Sequence, residues 1–206
     1  MTTTNKVAVT AKEVQELRQL TGAGMMDSKR ALEEAGGDMA EATHLLRKRG
    51  AAKAEKRGDK ETREGMIGSY IHHDGKLGVL VEVNCETDFV ARNPEFRALV
   101  QDIAVHIAAA APLAIDRDGV SPERVEKERR LFEEQVRESG KPAHLIDKII
   151  SGKLDAFYKD VALLHQVWVR DEKKARTIGD LVTEFSAKVG ERIVVRRFTR
   201  FRVGEE

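Results

Sequence analysis

The dipeptide Asp74-Gly75 lies between two strand-like runs, Met66 to His73 and Lys76 to Asn84. Such a pair between alternating apolar residues favours a tight hairpin turn, which commits this part of the chain to antiparallel pairing. Period-2 geometry then puts Leu77, Val79, Val81 and Val83 on one face, and that face needs a cover. Asn93-Pro94 opens a run in which Phe96, Leu99, Val100, Ile103, Ile107 and Ala110 recur at helical spacing until Pro112, so a helix is predicted to supply the cover. Ile193, Val195, Phe201 and Val203 alternate as a final strand. The fold class is α+β, with a three-stranded antiparallel sheet packed by helices.

Upstream, residues 10 to 49 read as three short helices. Thr10 with Glu13 forms a capping box, Val14 and Leu17 form an apolar stripe, and Gly22 and Gly24 end the first helix near Thr21. Met25, Met26, Leu32 and Ala35 line a second helix that stops at Gly36-Gly37. Asp38 with Glu41 caps a third, which carries Ala42, Leu45 and Leu46 and stops at Gly50. The predicted organisation is a three-helix domain over 1–50, a charged linker over 51–64, and an α+β core over 65–206 with a helical excursion around 113–162. Within the excursion, Ser121-Pro122 starts a charged helix that Gly140 and Pro142 end. The stretch from Ile146 to Val161 reads as two short helices broken at Ser151-Gly152, followed by an extended crossing over Leu163 to Val169. Thr177 is expected to cap a last helix, with Ile178, Leu181, Val182 and Phe185 inward and Gly190 as its stop.

Charge excludes one broad class. Lys plus Arg number 36 against 35 for Asp plus Glu, a formal +1, which is not the global basicity of a chain held to nucleic acid by counterion release. The run Arg192 to Arg202 interleaves arginine with phenylalanine and keeps an RNA-binding reading open, although the charge balance favours solvated or paired arginines. No apolar run is long enough to span a bilayer, the Ile103 to Leu113 stretch being broken by His106 and Pro112. Met1 to Lys6 lacks the apolar core of a signal peptide, and the single Cys85 cannot form an internal disulfide, so the expected location is the cytoplasm.

Bond-making chemistry finds little support. Cys85 has no local nucleophile signature, and adjacent His72 and His73 on a strand point to opposite faces and make a poor metal pair. Gly65-Met66-Ile67-Gly68 lacks the Lys-Ser/Thr ending of a phosphate-cradling loop. No catalytic residue, metal or cofactor is expected. More informative is the end of the second strand run, where Glu86-Thr87-Asp88-Phe89 breaks an apolar pattern. Thr87 is placed to cap a short helix, with Asp88 and Phe89 in its first turn. Phe89 is either a protruding contact or a ring folded back on its own sheet. Met25 and Met26 likewise read either as an adaptable binding surface or as filler of the bundle core.

Three stretches carry a resemblance to the elongation factor Ts family: Leu17 to Asp27 (LRQLTGAGMMD), Val83 to Arg92 (VNCETDFVAR) and Phe201 to Glu205 (FRVGE). The resemblance covers nearly the whole chain. It implies a ubiquitin-associated-like N-terminal module and a non-enzymatic guanine-nucleotide exchange factor. The implied partner is elongation factor Tu, bound both with GDP and nucleotide-free, in translation elongation. It implies that Thr87, Asp88 and Phe89 approach the partner's nucleotide domain near its magnesium site, that Met25 and Met26 form a second contact, and that His106 is a further contact or a structural residue. Short members have one core half and pair as homodimers, giving a two-plus-two assembly, with no membrane or direct nucleic-acid partner. The run Leu163 to Val169 departs from the family pattern, which has an acidic residue before the glutamine and a proline after it. From another class, a protein- or RNA-binding module without exchange activity is the alternative.

Overall fold

The computed structural model describes residues 9–139, 142–172 and 176–205. Its elements run α1 (Ala11–Thr21), α2 (Met25–Glu34), α3 (Met39–Lys56), β1 (Glu64–Ile71), β2 (Leu77–Cys85), α4 (Asp88–Ala91), α5 (Pro94–Ala110), α6 (Pro122–Glu138), α7 (Ala143–Val161), α8 (Ile178–Val189) and β3 (Val194–Arg202). The strands form one antiparallel sheet in the order β1-β2-β3, the α+β class read from the sequence. The chain divides into two compact units. The first holds the N-terminal helices through Ile67 with Glu82–Leu99 and Asp180–Val194, and the second holds Gly68–Val81, Val100–Gly179 and Val195–Glu206.

In the first unit, local signals set the helix starts. The Thr10 hydroxyl accepts from the Glu13 N–H at 3.3 Å while Glu13 accepts from the Thr10 N–H at 2.7 Å, so two otherwise orphaned donors are satisfied at once. Asp38 caps α3 by accepting from the N–H groups of Ala40 and Glu41 at 2.8 and 2.9 Å. Val14, Leu17, Ala31, Leu32, Ala42 and Leu46 bury together, two from each helix.

Gly50 does not stop α3, which continues to Lys56. A β-carbon at Gly50 would stand 3.4 Å from that of Ala187 on α8, so this glycine marks close approach of two helices and not a helix end. The first part of the predicted linker, 51–56, is therefore helical.

In the second unit, the hairpin closes as expected. The His72 N–H donates to the Leu77 carbonyl at 2.8 Å, and the Asp74 carboxylate accepts from the Lys76 N–H at 2.9 Å. Helix α5 lies close on the sheet at Gly68, where an added β-carbon would meet Cγ1 of Val100 at 2.4 Å. Helices α6 and α7 bury Val136, Ile150 and Leu154 between them. Gly140, expected to end α6, lies outside the described residues.

Three expectations change here. Helix α7 runs unbroken through Ser151-Gly152; one exposed glycine costs a helix only about 1 kcal/mol, and the buried stripe of Ile150, Leu154 and Phe157 outweighs it. Leu163–His165 is a 3₁₀ turn, with isolated bridges Ala114–Ala162 and Val167–Thr177 where an extended crossing was predicted. The last strand is shorter than the alternating pattern: Ile193 lies just before β3 and Val203 just after it. Ile193 and Val195 are buried, whereas Phe201 and Val203 are 69% and 74% exposed, because the far half of the pattern is left uncovered.

Helix α5 leaves its last turn through Ala111, which sits at φ 46°. A left-handed conformation costs an L-residue about 1–2 kcal/mol, part of which glycine returns as greater freedom of the unfolded chain. Ala111→Gly is expected to raise the unfolding free energy by about 0.5–1 kcal/mol in urea titration. Gly68→Ala, which drives a methyl into Val100, is expected to lower it by about 1–3 kcal/mol.

Candidate functional site

Val79, Val81, Val83 and Cys85 of β2 are all buried. The chain leaves the sheet after Cys85 through Glu86 and Thr87 into the four-residue α4. Val90 is buried there, and in a helix the preceding side chain points about 100° away. Phe89 is accordingly 83% exposed, the most exposed of the large apolar side chains described. It is not folded back on its sheet. Asp88 pairs with Arg92 one turn on at 2.9 Å, with both side chains substantially exposed. An ion pair of this kind is worth at most about 0.5 kcal/mol and does not commit the carboxylate.

Thr87 stands at the N-cap position with extended backbone, but its hydroxyl makes no capping bond. It donates instead to Oε1 of Glu191 at 2.6 Å, a correction to the expected cap, because an ionised acceptor makes the stronger bond. Oε2 of the same carboxylate accepts from the N–H groups of Glu86 and Thr87, each at 3.1 Å. Glu86 in turn accepts from the Arg192 N–H at 2.6 Å and from the Arg57 guanidinium at 2.8 Å. Burial alone would raise the Glu86 carboxyl; the Arg192 and Arg57 donors outweigh it and hold this group below the ordinary carboxylate value. Burial, with the Glu191 charge second, pushes the Cys85 thiol up to about 11, and the thiol donates to the Thr87 carbonyl at 3.1 Å. At neutral pH it is a protonated structural group and no nucleophile.

Met25 and Met26 open α2 and are 53% and 64% exposed. The bundle core is filled without them, so both face outward. His106 is fully buried. The Val169 N–H donates to its Nδ1 at 3.3 Å and Nε2 lies 3.0 Å from Oε1 of Gln166, which places the ring proton on Nε2. Burial holds the imidazole below its usual value. Of the two roles open to His106, this geometry gives it the structural one, anchoring the 166–169 segment, and the ring presents no surface. Tip and methionines occupy separate elements of the first unit, and His106 belongs to the second. Among the described residues no three His, Cys, Asp or Glu side chains form a group that could hold a metal. At the basic end of β3, Arg200 and Arg202 both pair with Glu205, at 2.5 and 3.3 Å, which weakens an RNA clamp there.

Glu191 and Arg57 escape sequence reasoning, as does the role of Glu86 as their link to the tip. Their bonds to the tip join residues far apart in the chain, and a lone glutamate after a helix-ending glycine carries no motif.

Comparison with known proteins converges on one family. The family model described as Elongation factor TS matches residues 2–205. The chain is similar to Elongation factor Ts of Fervidobacterium nodosum, 51% identical over 197 residues that cover 96% of this chain and 99% of the relative. It is 52% identical over 197 residues to Elongation factor Ts of Thermosipho melanesiensis, covering 96% and 100%. To Elongation factor Ts of Geobacter metallireducens it is 51% identical over 199 residues, covering 97% and 91%.

Adjacent residues of the tip should separate cleanly in stability. Phe89→Ala is expected to leave the unfolding free energy within about 0.5 kcal/mol of wild type, whereas Val90→Ala, one residue on and buried, should cost about 2 kcal/mol. Urea titration of both variants checks this. A large loss for Phe89→Ala would mean that the ring packs on its own fold.

Proposed function

The chain belongs to the elongation factor Ts family, and from that premise we propose that it binds elongation factor Tu with GDP and promotes GDP release by disturbing that partner's magnesium and phosphate site. The observation that carries this reading is Phe89, 83% exposed beside a buried Val90. A soluble fold gains nothing by holding a ring in water, and such a ring is a natural insertion group for an apolar slot on a partner.

The mechanism is linkage. A factor that binds the nucleotide-free partner more tightly than the nucleotide-bound one weakens nucleotide binding by the same ratio. Burying a Phe side chain is worth about 1.5–3 kcal/mol. If the slot exists only once the magnesium-organising elements have moved, this ring alone lowers nucleotide affinity by roughly 10- to 150-fold. Phe89 is the wedge. Asp88, free to exchange Arg92 for a basic group or backbone donors of the partner, holds the displaced arrangement, and Thr87 sets the direction of both. Met25 and Met26, exposed thioethers on a separate helix, provide a second, adaptable contact. No bond is made or broken on this protein.

The same reading takes residues 1–50 as a ubiquitin-associated-like domain, 51–64 as the link and 65–206 as the exchange and dimerisation core. It places the protein in the cytoplasm as a homodimer in a two-plus-two assembly with its partner. No helix among the described residues is long and apolar enough to cross a membrane. Ile71, which lies over Gly78, and Leu80 are exposed on the sheet and supply apolar surface that a second copy would bury.

Stopped-flow release of fluorescent GDP from elongation factor Tu tests the exchange reading. The wild-type protein is expected to accelerate release, and Phe89→Ala should lose about 10- to 100-fold of that acceleration. No acceleration by the wild type would refute the exchange reading, whereas full activity in Phe89→Ala would refute only the wedge. Light scattering at micromolar concentration should give twice the monomer mass, and a monomer throughout would remove the symmetric assembly.

A further inference from the structure

The Glu191 carboxylate does more than satisfy a turn. Two dipeptides far apart in the chain, Glu86-Thr87 and Glu191-Arg192, exchange bonds in both directions. Glu191 accepts from the Glu86 N–H, the Thr87 N–H and the Thr87 hydroxyl, while Glu86 accepts from the Arg192 N–H. Each strand end therefore supplies the carboxylate that the other's backbone needs. Arg57, just beyond α3, adds a second donor to Glu86 and a fifth bond to the brace.

Helix α4 has no side-chain cap, and beside this brace the residues that lead into it are held by the Cys85 thiol bond to the Thr87 carbonyl, a weaker donor than an N–H or a hydroxyl. A four-residue helix cannot hold its own direction, because isolated helices of that length are far below the size at which propagation repays nucleation.

We propose that Glu191 is a positioning residue for the Thr87-Asp88-Phe89 tip: it fixes the backbone from which Phe89 projects, so that the ring meets a partner already aimed. The inference rests on the exchange reading for its consequence, but not for its geometry. A tip released from Glu191 samples many directions, and the apparent affinity falls by the fraction of time it spends in the productive one. Arg57 and α8 give the brace a further reach. Helix α3 carries the Arg47–Glu184 ion pair at 3.3 Å to α8, and α8 leads directly into Glu191. The three-helix module and the tip are thus referenced to the same helix.

Amide hydrogen exchange and GDP release are read together on three variants. Glu191→Ala should speed exchange at Glu86 and Thr87 by at least roughly tenfold while Val81 and Val83 keep their protection, and should cut acceleration of GDP release by about tenfold. Glu191→Gln should recover both to within about threefold, because its amide oxygen can take the two N–H groups and its NH₂ can donate to the Thr87 hydroxyl. In a Phe89→Ala background, Glu191→Ala should cause a much smaller further loss than in the wild type, because it acts mainly through that ring and only secondarily through Asp88.

Unchanged protection of the Glu86 and Thr87 amides in Glu191→Ala overturns the proposal. So does an equal further loss in the Phe89→Ala background, which would make Glu191 a general structural residue. A wild-type protein that does not accelerate GDP release would defeat the exchange reading, and the amide arm alone would then decide the brace. If Glu191→Ala does not fold, Thr87→Val removes only the hydroxyl bond and should show the same changes at smaller size.

Discussion

A strand buried along its inner face cannot simply stop. The four inward residues of β2, Val79, Val81, Val83 and Cys85, are sealed from water, and the chain beyond them carries N–H groups that have left the sheet ladder and still need acceptors. The Glu191 carboxylate meets that need, and the rest of the site follows from it. With Glu86 and Thr87 tied down, Val90 reaches the interior and Phe89 is forced outward. Because the acceptor is an ionised carboxylate and not a hydroxyl cap, the bonds are charge-assisted. The same negative charge reinforces burial in keeping the Cys85 thiol protonated. One interaction therefore aims the ring and silences the only sulfhydryl beside it.

Features written in short-range chemistry were legible in the sequence. The Thr10–Glu13 box, the Asp38 cap, the Asp74-Gly75 hairpin and the Pro94 start of α5 each involve residues within a few positions, and the structure forms each as read. Glycine misled where its meaning depended on a distant neighbour. Gly50 reads as a stop, yet it is the point at which Ala187 comes close; Gly152 reads as a break, yet the stripe on either side carries α7 through it. The alternation of Ile193, Val195, Phe201 and Val203 marks a strand, of which β3 holds Val195 and Phe201, but says nothing of where the cover ends.

The site was legible in the same uneven way. Thr87, Asp88 and Phe89 drew notice as a polar break with a ring, and the family resemblance supplied a target. Whether that ring faces water depends on Val90 and Glu191, and the second of these lies 104 residues from Thr87. His106 stood in an apolar run and turned out to be an internal hydrogen-bonding residue, its neutral ring bridging Gln166 and the Val169 backbone. Nothing in its neighbours along the chain separates that role from a contact role.

The central claim is that a braced, outward ring is the part of this protein that enters its partner. Its most direct test replaces Phe89 with the photo-crosslinking residue benzoyl-phenylalanine, irradiates the protein with nucleotide-free elongation factor Tu, and maps the product by mass spectrometry. The account predicts a crosslink from position 89 to the partner's nucleotide-binding domain, reduced when excess GDP and magnesium are added. A probe at position 89 that gives no crosslink, while the same probe at exposed Phe201 does, would contradict it.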